Sequence, residues 1–170
     1  EGYCHVLVGK AMKNFDRRTL FLSEAVNQNF ALSKQALIDE AKRSLEKLQT
    51  DYFDLYMIGA INPDVPVSEI ADGLIYLLEN KLTNYIGVSN YRLEELKFIN
   101  EYTKGKIVCD EMHFNLAIRE PIVSGVYDYC KQNNILLSAY RPLQLGQLSK
   151  PGILIVDELA NKYDKSQSQI

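Results

Sequence analysis

Glu111 and His113 come closest, by residue type and spacing, to a metal or acid–base site in this sequence. They lie two apart at the end of the apolar run Ile107–Met112, so on a strand their side chains would share one face. A metal site needs at least one further ligand, and the sequence places none beside them. Asp110 and Glu111 are adjacent and would point to opposite faces, which excludes a catalytic carboxylate pair. We therefore expect no metal, and an ordinary structural role for His113 and for the other histidine, His5.

Composition and charge are typical of a globular protein of the cytoplasm. The 19 basic and 22 acidic residues give a net charge of −3, too balanced to indicate nucleic acid or a charged membrane as partner. Cys4, Cys109 and Cys130 are far apart and form no CxxC pair, which indicates reduced thiols rather than disulfides or a zinc site. No apolar run approaches the ~20 residues of a membrane helix, and the N-terminus shows no signal-peptide pattern.

Five short apolar runs alternate with longer segments of helical period. The runs are too continuous for half-exposed strands and are typical of strands buried on both faces. These predicted strands are Leu20–Val26, Phe53–Ile58, Tyr85–Val88, Ile107–Met112 and Ile135–Tyr140. The segments between them repeat their apolar positions at the spacing of one helix face. The predicted helices are Ser33–Leu48, with Ser33 as N-cap, Ser68–Asn80, Tyr91–Tyr102, Pro121–Gln132, with Pro121 in its first turn, and Ile153–Tyr163.

This alternation predicts one α/β domain over residues 1–170 with about five parallel strands, because strands separated by helices return through right-handed crossovers. Periodicity leaves two architectures open, an open doubly wound sheet and an arc of a closed barrel. Both place chemistry at the carboxyl ends of the strands. Three of the five ends carry polar groups with no evident structural role. The ends are Glu24–Asn27, Gly59–Asn62, Ser89–Asn90, His113–Asn115 and Arg141–Gln144.

Five blocks, in order and with matching spacing over nearly the whole chain, resemble the aldo-keto reductase family. Gln49–Ile58 is similar to the stretch that leads to the family's catalytic histidine, and Tyr85–Tyr91 to its strand-and-turn signature. The later blocks are Asn115-Leu116, Arg119–Pro121 and Ala139–Leu143. The resemblance implies part of a (β/α)8 TIM barrel. Two strands would precede residue 1, and the last strand, with a phosphate-binding loop, would follow residue 170.

The resemblance also implies an NADPH-dependent carbonyl reductase in which a tyrosine acid is assisted by a lysine, an aspartate and a histidine. Tyr3 is the best match to the acid, since Tyr3–Lys10 resembles the loop after the family's second strand, shortened by one or two residues. The lysine position holds Ala25, the histidine position holds Gly59, and the aspartate belongs to the unmatched part. Because catalytic groups that act as a unit fail together, the chain is expected to be catalytically impaired as it stands.

The nicotinamide platform of the family is better preserved. Ser89 and Asn90 match the pair that hydrogen-bonds the nicotinamide carboxamide, and Tyr140 matches the aromatic residue on which the ring stacks. Glu111 stands where a glutamine is usual, and Arg141 replaces a small residue near the pyrophosphate. The resemblance thus implies NADPH as cofactor, held without the phosphate loop. From the residues alone, Ser89 or Asn90 is equally a cap of the helix Tyr91–Tyr102.

Three hypotheses follow for the function. The first is a reductase-like fragment that would act on a small carbonyl substrate. The second is a pseudoenzyme or engineered part-barrel that binds a small ligand or partner. This second hypothesis is favoured by the residues that replace reactive or bulky groups of the family, which are Ala25, Gly59, Ala60 and Ile61. The third, a nucleotide-binding open sheet, would need a Gly-rich loop, whereas Arg141–Gln147 holds the single glycine Gly146.

A barrel arc would leave its two outermost strands, Leu20–Val26 and Ile135–Tyr140, unpaired on one side. It would also leave open to water the strand faces that fill a barrel interior. The sequence therefore predicts self-association, pairing with a complementary fragment, or a rearrangement that covers the open face.

Overall fold

The computed structural model describes residues 2–30 and 33–170 of the chain. Five strands form one sheet in the order β1-β2-β3-β4-β5, and every neighbouring pair is parallel. They are β1 Ser23–Val26, β2 Phe53–Ile58, β3 Thr83–Ser89, β4 Ile107–His113 and β5 Leu136–Tyr140. A doubly wound sheet reverses its strand order part-way, whereas a barrel keeps the order of the chain. The observed order is therefore that of a barrel arc.

Seven α-helices lie between or beside these strands in the described residues. They are α1 Tyr3–Met12, α2 Lys34–Leu48, α3 Val67–Glu79, α4 Leu93–Tyr102, α5 Glu120–Val123, α6 Val126–Gln132 and α7 Leu154–Tyr163. Ser33 caps α2 as predicted, because its Oγ accepts from the backbone N–H of Ala36 at 3.1 Å. Pro121 lies in the first turn of α5, also as predicted. None of the described helices is both long enough and apolar enough to cross a membrane.

Most predicted bounds differ from the structure by at most two residues at an end, and three predicted elements differ by more. The continuous helix over Pro121–Gln132 is wrong, because Gly125 adopts a left-handed φ of 82° that ends α5 and starts α6. Tyr3–Lys10, matched to a loop, is helical. The first strand begins at Ser23 rather than Leu20, because the backbone N–H of Leu22 donates to the side-chain carboxylate of Asp54 at 2.8 Å and not to a backbone carbonyl of β2.

The main core lies between the sheet and its helices. Its members from the strands include four buried side chains of the outer face, Tyr56, Ile58, Ile86 and Val88. A smaller cluster on the inner face holds Leu55, Met57 and Cys109. Both faces of the sheet are thus apolar, which explains why the strands appear in the sequence as continuous apolar runs.

A β-bulge in β4 decides which of its residues face the helices. The pairing shifts just before Gly87 of β3, which leaves Val108 of β4 as the extra residue. A Cβ at Gly87 would lie 2.7 Å from the carbonyl oxygen of Cys109, so this approach of the two strands requires glycine. Beyond the bulge, Asp110 pairs with Val88 of the main core and lies on the helix side.

Candidate functional site at the strand ends

The carboxyl ends of β3 and β4 are tied together by polar groups of Ser89 and Asn90. Asn90 follows β3 in the left-handed conformation, with φ 60°, and its backbone N–H donates to the carbonyl oxygen of Glu111 at 2.9 Å. The Ser89 hydroxyl donates to the same oxygen at 3.0 Å. The side-chain amide of Asn90 in turn donates to Ser89 Oγ at 3.0 Å. The turn after β3 is therefore held by the backbone of β4, while Asn90 itself remains exposed.

Tyr140, the last residue of β5, reaches across β4 to the same turn. Its hydroxyl donates to Oδ1 of Asn90 at 3.1 Å, and the backbone N–H of His113 donates to that oxygen at 3.3 Å. The rings of His113 and Tyr140 stack, with centroids 5.2 Å apart and planes 18° from parallel. The structure thus brings Ser89, Asn90 and Tyr140 into one hydrogen-bonded network.

The network also includes His113, Asn115 and Gln144, which the sequence does not identify as cofactor-binding residues. Nε2 of His113 lies 2.8 Å from Oε1 of Gln144 and 3.4 Å from the side-chain nitrogen of Asn115. The Asn115 side-chain amide donates to the same oxygen at 2.8 Å and to the carbonyl of Arg141 at 3.0 Å. Their common signal in the sequence is position, since all three lie at predicted strand ends.

The same geometry shows what Glu111 does in the turn and whether Ser89 or Asn90 caps helix α4. The backbone carbonyl of Glu111 holds the turn, and its half-buried side chain lies on the inner face of β4. Helix α4 begins at Leu93, after an Arg92 whose backbone N–H donates to the Glu95 carboxylate at 2.8 Å. The interpretation of Ser89 or Asn90 as a helix cap is therefore wrong.

The predicted catalytic positions lie at the other end of the arc, on α1, β1 and β2. Tyr3 is the first residue of α1 and is 72% exposed. Ala25 lies near the carboxyl end of β1, and Gly59 follows β2, with its backbone N–H donating to the carbonyl of Val26 at 2.8 Å. A cleft of about 600 Å³ beside Ala25 includes Gly2 among its described lining residues, but not Tyr3. The structure therefore does not direct the Tyr3 side chain into the space beside Ala25.

Glu24, the acidic neighbour of Ala25, is engaged on the helix side of β1. Nε2 of His5 on α1 lies 3.0 Å and 3.1 Å from the two carboxylate oxygens of Glu24, and both side chains are mostly buried. Burial, followed by the charge of Glu24, raises the pKa of the nearby Tyr56 phenol. His5 therefore has a structural role in the contact of α1 with β1, as expected.

A fully buried carboxyl group lies beneath the turn after β3. Asp110 is 0% exposed, and neither of its carboxylate oxygens has a hydrogen-bond partner in the described part of the chain. Burial raises the pKa of Asp110 to about 7, and the backbone amides of Asn90 and Tyr91 partly oppose this rise.

Comparison with known proteins identifies relatives over nearly the whole chain. The model of the aldo/keto reductase family matches residues 1–163. The NADPH-dependent alpha-keto amide reductase of Saccharomyces cerevisiae is 29% identical over 96% of this chain and 56% of its own length. Aldo-keto reductase YhdN of Bacillus subtilis is 30% identical over 98% of this chain and 53% of its own length. The chain thus spans little more than half the length of these relatives.

A solved structure shows the same arc within a larger chain. The crystal structure of the thermostable aldo-keto reductase Tm1743, in complex with the inhibitor epalrestat, matches with a TM-score of 0.93 and 32% identity. The match covers 99% of this chain and 61% of that one. The prediction of a partial (β/α)8 barrel is therefore confirmed.

Proposed function

The chain belongs to the aldo/keto reductase family, and on that premise we propose that it holds the nicotinamide end of NADPH but is catalytically impaired as it stands. One observation carries the proposal, the contrast between the two halves of the same sheet edge. The ends of β3, β4 and β5 carry the connected polar network around Asn90. The ends of β1 and β2 carry Ala25 and Gly59, which have no group that can donate or accept a proton.

The residues around Asn90 fit a nicotinamide. The Asn90 side-chain amide has a second N–H besides the one donated to Ser89, and the Glu111 carboxylate can accept from an amide group. Tyr140 stacks one ring face on His113, and the Arg141 guanidinium carbon lies 5.8 Å from the centroid of the same ring, so a planar ligand stacked on Tyr140 would lie beside a cation. NADPH supplies the hydride for reduction of a carbonyl carbon. The name of the yeast relative, an NADPH-dependent reductase, supports this choice of cofactor.

Proton delivery to the carbonyl oxygen is the function that the described residues support least. A general acid must lie within hydrogen-bonding reach of the atom that it protonates. Tyr3 is largely exposed at the start of α1, and Ala25 and Gly59 provide no neighbouring cation to ease loss of its proton. Loss of such a group typically costs ~10²-fold or more in rate. We therefore expect a small carbonyl compound to be reduced at or near the background rate.

Cofactor titration and turnover test the two halves of the proposal separately. We expect NADPH to bind by calorimetry, more weakly to N90A and Y140A, and unchanged to Y127A, which removes an exposed tyrosine of α6 outside the network. With a panel of aldehydes and α-keto amides, NADPH oxidation should stay at background. Turnover well above background would contradict the proposed catalytic impairment. Failure of the wild-type protein to bind NADPH would contradict the proposed nicotinamide site.

Two open strand edges favour a second candidate function, that of a part-barrel that binds a partner. In the described part of the chain β1 and β5 are each paired on one side only. The apolar side chains of Phe21 and Leu136, beside or within these strands, are 67% and 65% exposed. Unpaired strand edges favour addition of further strands. Either self-association or pairing with a complementary fragment would satisfy them.

A further inference from the structure

Asn115 lies in the loop that follows β4, residues 114–118 (the β4 loop), and contacts the loop that follows β5, residues 141–146 (the β5 loop). We propose that Asn115 is a positioning residue for Tyr140, because its side-chain amide joins the two loops and thereby fixes the backbone and one ring face of that tyrosine. The consequence for cofactor binding rests on the proposed nicotinamide site, whereas the positioning itself does not.

The oxygen of the Asn115 side chain closes the β4 loop. Oδ1 accepts from the backbone N–H groups of Ala117 and Ile118, each at 2.9 Å. The backbone N–H of Asn115 donates in turn to the carbonyl oxygen of Ile118 at 3.1 Å. Because a backbone N–H group can only donate, the two contacts of Oδ1 require an oxygen at that end of the amide. The nitrogen of the same amide therefore points to the β5 loop.

The nitrogen of the Asn115 side chain holds the β5 loop. Its two N–H groups have two oxygen acceptors, the carbonyl oxygen of Arg141 at 3.0 Å and Oε1 of Gln144 at 2.8 Å. Arg141, Gln144 and Leu145 all have left-handed backbones, with φ of 56°, 47° and 55°. Such a backbone is uncommon for residues other than glycine and persists where the surrounding structure holds it. The side chain of Leu145 is 77% exposed and cannot provide this support, whereas the Asn115 amide can.

Both hydrogen bonds of the nitrogen lead to Tyr140. Arg141 follows Tyr140 directly in the chain, so the bond to its carbonyl oxygen fixes the backbone at the end of β5. Oε1 of Gln144 also lies 2.8 Å from Nε2 of His113, whose ring stacks on Tyr140. The same amide group therefore supports Tyr140 through its backbone and through one ring face. The Tyr140 hydroxyl is held separately, since it donates to Oδ1 of Asn90.

The variant N115D removes the nitrogen of the amide and keeps its oxygen. At about pH 7 the new carboxylate can still accept from Ala117 and Ile118, but it turns a second oxygen toward the two acceptors of the β5 loop. In NMR spectra of the whole chain, the backbone amides of Ala117 and Ile118 should keep their protection from hydrogen exchange, whereas the ring resonances of Tyr140 should shift. L116D is the matched control, since it adds the same charge at an exposed residue of the β4 loop and keeps the Asn115 amide. Its Tyr140 resonances should match those of the wild type.

Two results would overturn the positioning role: Tyr140 ring resonances in N115D that match those of the wild type, or equal shifts in N115D and L116D. If N115D does not fold, the wild type decides the question. The side-chain amide protons of Asn115 should then exchange slowly with water and show a through-hydrogen-bond coupling to the carbonyl carbon of Arg141. Rapid exchange without this coupling would contradict the proposal.

Calorimetric titration with NADPH tests the consequence for cofactor binding. Loss of one hydrogen bond predicts roughly fivefold weaker binding to N115D, with L116D like the wild type. Equal affinity of N115D and the wild type would show that the position of Tyr140 does not govern binding. If the wild type itself does not bind NADPH while Tyr140 still shifts in N115D, the nicotinamide site is wrong and the role of Asn115 stands.

Discussion

His113 connects the two parts of the strand-end network, because its ring stacks on Tyr140 and its Nε2 meets Gln144. H113A should release the Tyr140 ring and weaken binding of NADPH by roughly 0.5–1.5 kcal/mol, up to about tenfold, the size of an aromatic pair. H113F keeps a stacked ring but loses the contact with Gln144, and should bind more like the wild type. Calorimetric titration of the three proteins measures the effect. Equal affinity of H113A and the wild type would show that the stack is irrelevant to binding.

Asp110 makes the stability of the fold depend on pH. Its pKa is about 7 in the folded chain against 3.8 for an ordinary aspartate, so the folded state binds more protons between these values. Its contribution to stability is fully present below pH 3.8 and is lost as the pH rises through 7. D110N should therefore gain stability relative to the wild type between pH 4 and 8, by an amount on the order of 4 kcal/mol at about 1.4 kcal/mol per pKa unit. Urea unfolding at several pH values checks this, and a difference independent of pH would contradict it.

The sequence predicts some residue roles and misses others for physical reasons. Ser33 was identified as a cap because capping depends on local residue types. The orientation of Asp110 away from Glu111 follows from strand alternation alone. The role of His113 could not be predicted, because its ring partner Tyr140 belongs to another strand. That Asp110 is completely buried depends on helices α5 and α6, which periodicity places only approximately.

At the level of elements, Arg17 holds the segment that precedes β1 against β2 and the residues before it. Its guanidinium donates to Thr50 Oγ1 at 3.1 Å and to the carbonyl of Tyr52 at 2.9 Å, and it pairs with the Asp54 carboxylate at 2.9 Å. The Asp54 carboxylate also accepts from the backbone N–H of Leu22 at 2.8 Å. The pair is mostly buried, so that removal of one charge leaves the other without compensation.

R17M should lower the free energy of unfolding by about 3 kcal/mol, because the Asp54 carboxylate is then left buried and unpaired. R18M is the matched control, since Arg18 is highly exposed and pairs with Asp16, two residues earlier. It should leave stability essentially unchanged. Chemical unfolding of both variants makes the comparison. Equal losses in the two would mean that the Arg17 cluster does not stabilise the sheet.

The sequence predicts the positions of most elements because apolar periodicity reflects which face is buried. β2 matches its prediction, whereas Pro121–Gln132 was predicted as one helix because both α5 and α6 contribute apolar residues, Pro121 and Val126, to the buried surface. The bulge of β4 left no signal, since Val108 is apolar like its neighbours. Helices and strands are thus predictable where buried and exposed residues alternate along the segment. They are less predictable where the whole segment is buried, because its hydrophobic pattern then has no period.

For the whole molecule, periodicity could not separate an open sheet from a barrel arc. Only the order of sequence blocks indicated the arc, and the strand order now establishes it. In this order β1 and β5 each have one unpaired edge, which predicts that copies of the chain associate. Size-exclusion chromatography with light scattering should give a mass above that of one chain, and a monodisperse monomer would count against an exposed barrel edge.

L136K tests the β5 edge specifically. A lysine on an edge strand disfavours pairing with a further strand, so this variant should shift the mass toward that of a single chain without loss of secondary structure. L154K places the same charge at a leucine of α7 that is 80% exposed, against 65% for Leu136, and should associate like the wild type. If both variants behave alike, association does not proceed through β5.

The close approach of β3 and β4 at Gly87 has a consequence for how this protein can vary. A single methyl group at that position would act as a wedge between the two strands, well before the chain reaches Ser89. The hydrogen bonds that join the turn to the Glu111 carbonyl would then lengthen, although every residue of the network was still present. Any related sequence that retains this strand-end network is therefore constrained at a position that contributes no atom to it.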